Sequence, residues 1–195
     1  VFLVVRLLII AVIGATAGLG SVWLALESGV FDTAPRIGPW RLQAGGGGPS
    51  ANPYAVAENA RAGRIGLGPA EGIAVVAATD SAGNPLEPIC HYAVEGAIPA
   101  AELWTLSVTD EAGNLPRNPA GRTGFTSRDA IRTADGSLVV IVGRTARPGN
   151  FVPTGTLGSV VLTLRLYGSG LAARLPGPDR LPAIRRLECG GGRGR

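Results

Sequence analysis

The sequence predicts an all-β domain, an antiparallel jelly-roll-like β-sandwich, preceded by one N-terminal transmembrane helix and a short second helix. Three observations carry this. The first twenty-six residues hold a single charge, Arg6. From Gly72 onward, short apolar runs alternate with Asp, Gly and Asn turns. Between those turns almost no stretch has helical periodicity, so a Rossmann or barrel architecture has no helices to build with. A small open barrel is the alternative.

The N-terminal run comes first. From Leu7 to Leu26 it is uncharged, and about twenty residues at ~1.5 Å each match the ~30 Å hydrocarbon core of a bilayer. A cleavable signal peptide is the competing reading, with Ala15-Thr16-Ala17 before Gly18 as its processing site. Apolar character continues through Val22, Trp23, Leu24 and Leu26, which favours a retained anchor over 1–26. Arg6 precedes the run while Glu27 and Asp32 follow it, so the positive-inside bias predicts an inner-membrane protein with a cytoplasmic N-terminus and a periplasmic C-terminal domain. Gly14 and Gly18 form a Gly-x-x-x-Gly step that would allow a homodimer through the helix.

Residues 27–51 read as a linker. Pro35, Pro39, Pro49 and the run Gly45 to Gly48 make a tether with no evident means of burying a core. The β-sandwich domain is assigned to 52–195. Asn52 is the expected cap of a short helix beginning at Pro53 and stopping at Gly63.

Strands are then expected over Ile73–Ala78, Ile89–Val94, Leu103–Thr109, Leu138–Val142 and Val160–Tyr167. Trp104, Leu106 and Val108 alternate with Thr105, Ser107 and Thr109, the signature of a half-buried strand. The turn Asp80-x-Ala82-Gly83-Asn84 is echoed by Asp110-x-Ala112-Gly113-Asn114, and Asp135-Gly136 makes a tighter one.

Composition narrows the chemistry. The formal charge is +4 and every basic residue is Arg. Most of these lie beyond Asp110, yet they are not interleaved with aromatics as a stacking platform, so no nucleic-acid partner is expected. Cys90 and Cys189 are too few for a zinc site. In an oxidising compartment the pair reads as a disulfide that pins the C-terminal tail to the strand carrying Cys90. His91, the only histidine, points to the opposite strand face from Cys90 and cannot pair with it directly. A Gly-x-Ser-x-Gly elbow is absent. Gly63, Gly66, Gly68 and Gly72 have neither dinucleotide nor P-loop spacing. The turn aspartates lack EF-hand spacing. No cofactor or metal is expected, and no catalytic residue is assigned.

A more suggestive group is Asn118, Arg122, Ser127, Arg128, Asp129, Arg147 and Asn150, all in Pro/Gly-rich connections beside strands. The arginine forks would suit an anionic carbohydrate or a lipid headgroup if the side chains converge. The competing reading makes Asn118 and Asn150 loop holders and leaves the arginines on solvated faces.

Several segments in order resemble one bacterial family, the domain of unknown function 1214. They are Asn52-Pro53-Tyr54, Leu67-Gly68 with Glu71-Gly72, Leu103-Trp104-Thr105-Leu106, Asn118-Pro119-Ala120-Gly121-Arg122, Ser127-Arg128-Asp129, Ala134-Asp135-Gly136-Ser137, Arg147-Pro148-Gly149-Asn150 and Leu164-Arg165-Leu166-Tyr167. The closing Leu181-Pro182-Ala183-Ile184 with Cys189 looks like the tail of short, membrane-anchored members. The resemblance implies a jelly-roll β-sandwich and brings no established activity, hence no catalytic residues. Phe151 stands where the family often has Trp, so a pocket lined by that aromatic would differ in size. The functional expectation is a membrane-anchored periplasmic binding or envelope-organising module. The alternative is a hydrolase or lyase acting on envelope carbohydrate or lipid.

Overall fold

A computed structural model describes residues 2–28, 34–43, 53–61, 63, 65–68, 70–169 and 181–190. The chain divides into two compact units, Val1–Thr33 and Ala34–Arg195.

The first unit is one helix, α1 (Phe2–Ser28), within which Phe2–Leu24 is long and apolar enough to cross a membrane. The helix includes Arg6, as the expected anchor 1–26 does, and runs two residues beyond that anchor. Thr16 and Ser21 turn their hydroxyls back onto carbonyls one turn earlier, Thr16 Oγ1 to Val12 at 2.9 Å and Ser21 Oγ to Gly18 at 2.8 Å. Their polar groups are thereby satisfied within the helix, as an apolar surrounding requires.

The second unit is built from two sheets. In chain order its elements are β1 (Arg36–Ile37), β2 (Trp40–Leu42), α2 (Pro53–Arg61), β3 (Gly72–Ala77), β4 (Cys90–Gly96), β5 (Leu103–Thr109), β6 (Gly124–Thr126), β7 (Leu138–Gly143), β8 (Asn150–Pro153), β9 (Val161–Tyr167) and β10 (Ala183–Cys189). One sheet has the order β1-β2-β3-β9-β5-β6 and the other β10-β4-β7-β8. Every neighbour pair is antiparallel except β7 with β8.

The two sheets share one core. Val75, Trp104, Leu106, Val108, Leu162, Leu164 and Leu166 from the first meet Tyr92, Val94, Leu138, Val140, Val142 and Ile184 from the second. Alternation makes this possible: β5 shows half-buried and buried residues strictly in turn, which puts Trp104, Leu106 and Val108 on the core side. The result is a sandwich-like arrangement of two mostly antiparallel sheets.

The predicted turns form as their sequences require. In the first, Asp80 Oδ1 accepts from the amides of Ala82 and Asn84, at 3.0 and 2.9 Å. In the second, Asp110 Oδ1 accepts from the Asn114 amide at 2.7 Å. Gly83 and Gly113 take φ of 89° and 84°, a region closed to most L side chains. Helix α2 ends before Gly63, which has φ 61°; its expected cap, Asn52, lies outside the described residues.

One expectation needs correction. Within the stretch from Phe31 to Ser50, expected to be a tether with no means of burying a core, Arg36–Leu42 is a hairpin at the sheet edge. Gly38 (φ 57°) and Pro39 make the two-residue turn. Ile37 and Trp40 point into the core, Trp40 being only 1% exposed, and the Trp40 indole N–H donates to the Pro182 carbonyl at 2.7 Å. The proline content hid a strand–turn–strand pattern of alternating outward Arg and inward apolar residues. Of the rest of the expected linker, Glu27 and Ser28 continue α1, Ala34, Pro35 and Gln43 flank the hairpin, and 29–33 and 44–51 lie outside the described residues.

Candidate functional site

The anticipated loop cluster is only partly assembled. Asn118 serves its own loop: its Nδ2 donates to the Arg122 carbonyl at 2.8 Å and its Oδ1 accepts from the Arg122 amide at 3.1 Å. The Arg122 guanidinium lies 4.5 Å from the Phe125 ring centroid and 3.6 Å from Asp129 Oδ2. Asp129 Oδ1 accepts from the Thr126 amide at 2.5 Å and the Thr126 hydroxyl at 2.6 Å. Burial alone would raise the Asp129 pKa. The Thr126 hydrogen bonds and the Arg122 charge outweigh it, so the carboxyl titrates below its ordinary value. Arg128 contributes a backbone N–H to Thr126 Oγ1 at 3.2 Å, and its residue is exposed, while the neighbouring Ser127 is half-buried.

Arg147 and Asn150 are engaged elsewhere. Arg147 pairs with Glu188 of β10. Asn150 is 5% exposed and holds two segments together. Its Oδ1 accepts from the Ile131 amide at 2.8 Å, and its Nδ2 donates to the carbonyls of Ile131 and Val139 at 2.6 and 2.9 Å. The geometry therefore joins Arg122, Asp129 and Thr126, and gives Arg147 a carboxylate of its own.

His91 sits on the outer side of β4, 5% exposed. Its Nε2 lies 3.0 Å from the Thr145 carbonyl and 3.2 Å from the Thr145 amide, and its Nδ1 is 3.8 Å from Glu188 Oε1. The ring occupies the space where a side chain on Gly143 would stand. Cys90 faces the core and is bonded to Cys189, directly opposite it on β10, with Cα atoms 3.8 Å apart. The expected disulfide is present, and it does pin β10 to β4. Among the described residues no group of three or more His, Cys, Asp or Glu side chains could hold a metal ion.

A different place has the shape of a binding site. At the β1–β2 edge of the larger sheet lies a cavity of about 370 Å³, lined by Arg36, Gly38, Pro39, Arg41, Val76, Ala78, Thr79, Glu111 and Val161. Its volume falls in the range usual for small-molecule pockets, about 300–1,000 Å³. Register explains the lining. Arg36 is the cross-strand partner of Arg41, and Arg41 is that of Val76, so one row of outward residues runs from the edge across β2 to β3. Ile37 and Trp40, the alternate pair, face the core. Sequence reasoning missed this site. The available signal was the segment Arg36-Ile37-Gly38-Pro39-Trp40-Arg41, whose two arginines fall on one face of a Gly-Pro hairpin. Phe151, on β8, is not part of the lining.

Two solved structures are similar to this one. The VPA0106 protein of Vibrio parahaemolyticus is 19% identical with a TM-score of 0.62, over 93% of this chain and 45% of that one. An uncharacterised protein of Burkholderia cenocepacia is 16% identical with a TM-score of 0.47, over 92% of this chain and 44% of its own. The chain thus spans less than half the length of the structures it matches. No curated protein matches the sequence. The family model of proteins of unknown function DUF1214 matches residues 71–170, more than half of the chain, and the protein belongs to that family.

Proposed function

We propose that the chain is a single-pass inner-membrane protein whose sandwich-like domain, jelly-roll in arrangement, faces the periplasm and works there as a binding module. The observation that carries this reading is the Cys90–Cys189 disulfide in a chain that also begins with an apolar helix. Disulfides persist in oxidising compartments outside the cytoplasm. Arg6 is the one charge inside the candidate span Phe2–Leu24, near its first turn, and the positive-inside bias puts that end in the cytoplasm. Residues 1–26 are the anchor and the remainder carries the linker and the domain. Gly14 and Gly18, with nothing within 4 Å of where their Cβ atoms would be, offer a surface for a second copy of the helix.

Binding is favoured over catalysis because the cavity offers guanidinium groups on an apolar wall, with neither His91 nor paired acids in it. No geometric observation favours a hydrolase or lyase. The expected partner is an anionic carbohydrate or lipid. A fusion of alkaline phosphatase after residue 195 should be enzymatically active, and a cytoplasmic fluorescent reporter at the same place should stay dark. The opposite pattern would overturn the orientation.

A further inference from the structure

The Cys90–Cys189 bond has one buried end and one open end. Cys90 is 0% exposed, whereas Cys189 is an exposed residue. β10 is the last strand of its sheet and β4 lies inward of it, so Cys189 stands at a free edge with Cys90 behind it. A thiolate attacking a disulfide approaches one sulfur and expels the other, and exposed disulfides are the labile class. Only the Cys189 end is placed for such an approach. The Arg186 guanidinium lies 3.9 Å from the Cys189 sulfur, a donor for negative charge there, although Asp80 and Glu87 share its own charge.

The strand end held by this bond has few other anchors. A bulge between Arg186 and Glu188 divides β10. Before it, Ile184 is fully buried, Arg185 pairs with Glu95 at 2.7 Å and Arg186 reaches Asp80. From Leu187 to Gly190 every residue is exposed. Beyond ladder pairing, this end is fixed by the disulfide and by the Gly190 amide, which donates to the Ile89 carbonyl at 2.9 Å. The Glu188 carboxylate, shared by Arg147 and His91, is the remaining tie.

We infer that Cys189 is a thiol-exchange site, at which an external dithiol reduces the bond and releases the end of β10 without unfolding the domain. In the first step a thiolate of the dithiol attacks Cys189 Sγ. A mixed disulfide forms there, the Cys90–Cys189 bond breaks and Cys90 leaves as a thiolate. In the second step the reductant's other sulfur, as its thiolate, attacks the reductant sulfur of the mixed disulfide. The reductant closes to its own disulfide and Cys189 leaves. Two electrons pass to the protein, and the two protons lost by the dithiol are taken up by the two cysteines. Arg186 is the donor beside the sulfur that departs in this second step. Release of Leu187–Gly190 takes the Glu188 carboxylate away from Arg147 and His91 and bares the β4 edge at Cys90 and His91. The reduced form thus presents an uncovered guanidinium beside a free strand edge, the kind of edge that accepts another strand.

The test uses the full chain in neutral-detergent micelles, with dithiothreitol as the dithiol and the domain kept folded. Reduction, followed by alkylation and mass spectrometry, should speed up in proportion to dithiothreitol concentration. A rate that levels off at that of global unfolding would overturn the inference, since the bond would then open only in unfolded molecules. Brief exposure to reduced glutathione, with maleimide trapping, should leave the adduct on Cys189 about tenfold more often than on Cys90. Equal adducts, or a preference for Cys90, would overturn the assignment of the attacked sulfur. In the reduced chain, hydrogen exchange at Glu188, Cys189 and Gly190 should quicken about tenfold or more before Ile184 responds. No change there, or equal quickening throughout the sheet, would overturn release of the strand end. The phosphatase fusion reads orientation alone, so the exchange site and the proposed topology can fail separately.

Discussion

A methyl group on Gly143 would collide with the imidazole of His91, whose ring covers the outer side of β7 at that point. The glycine is required for space rather than for conformation, since it is not among the glycines with positive φ. Gly143→Ala should therefore destabilise the domain by about 1–3 kcal/mol, the usual cost of overpacking, read from urea unfolding midpoints. In a His91→Ala background the same change should cost far less, because the clashing ring is gone. Equal costs in the two backgrounds would mean that something other than the imidazole fills that space. Arg186 shows a second kind of residue-level constraint. Its guanidinium reaches Asp80 at 3.5 Å and Glu87 at 3.7 Å, donates to the Pro85 carbonyl at 2.8 Å and lies 5.7 Å from the Tyr92 ring centroid. One side chain thus fastens the Asp80 turn to β10.

At the scale of elements, β10 depends on its disulfide more than on its sequence. Only Ile184 of its seven residues is fully buried, and a bulge interrupts its pairing with β4 between Arg186 and Glu188. The Cys90–Cys189 bond closes a sequence separation of 99 residues, worth about 4–5 kcal/mol in the chain-entropy account. Replacing both cysteines by serine should lower stability by up to that amount. Amide exchange should then speed first in Ala183–Cys189 and last in β9, which pairs along its length with both β3 and β5; uniform acceleration would contradict this picture. The same contrast explains what was legible beforehand. β3, β4, β5, β7 and β9 carry six or seven residues each with strong apolar patterning, and sequence alone located them within a residue or two. β6 and β8 have three and four residues, too few to show a period, and β8 ends in Pro153. β10 reads Ala-Ile-Arg-Arg-Leu-Glu-Cys, with no alternation to find. The binding residues were obscure for a related reason. Arg147 looked available because its carboxylate, Glu188, lies 41 residues away on a strand that the pattern does not reveal. Arg36 and Arg41 looked like linker residues because prolines flank them.

At the scale of the whole molecule, five carboxyls spread over the domain, Asp80, Glu95, Asp110, Asp129 and Asp135, share one electrostatic tendency. Hydrogen bonds from Asn114 hold the Asp110 carboxyl below its ordinary pKa, and those from Thr133 and Ser137 do so for Asp135. The Arg185 hydrogen bond and charge lower that of Glu95. For Asp80, burial acts in the opposite direction, but the Asn84 and Ala82 hydrogen bonds and Arg186 outweigh it. A carboxyl with a depressed folded-state pKa binds protons more tightly when unfolded. Its stabilising contribution is complete above the unfolded value, about pH 4, and is lost as pH falls through the folded value. The unfolding midpoint should accordingly be flat from neutrality down to about pH 5 and drop steeply below about pH 4. A midpoint unchanged down to pH 3 would show that these turns contribute nothing to the fold's cohesion.

The position of β10 beside β4 also sets a timetable. Ribosomes deliver Cys90–Gly96 long before Ala183–Cys189, yet those two stretches are neighbours in the finished sheet. The Trp40 indole waits as well, since its carbonyl partner belongs to Pro182. Until Ala183–Cys189 emerges, one edge of β4 presents unpaired amides and carbonyls, a template for misassociation with other chains. Completion of this domain therefore waits for β10. A nascent chain stalled before residue 180 should be captured by holdase chaperones, whereas one released after Cys189 should escape them.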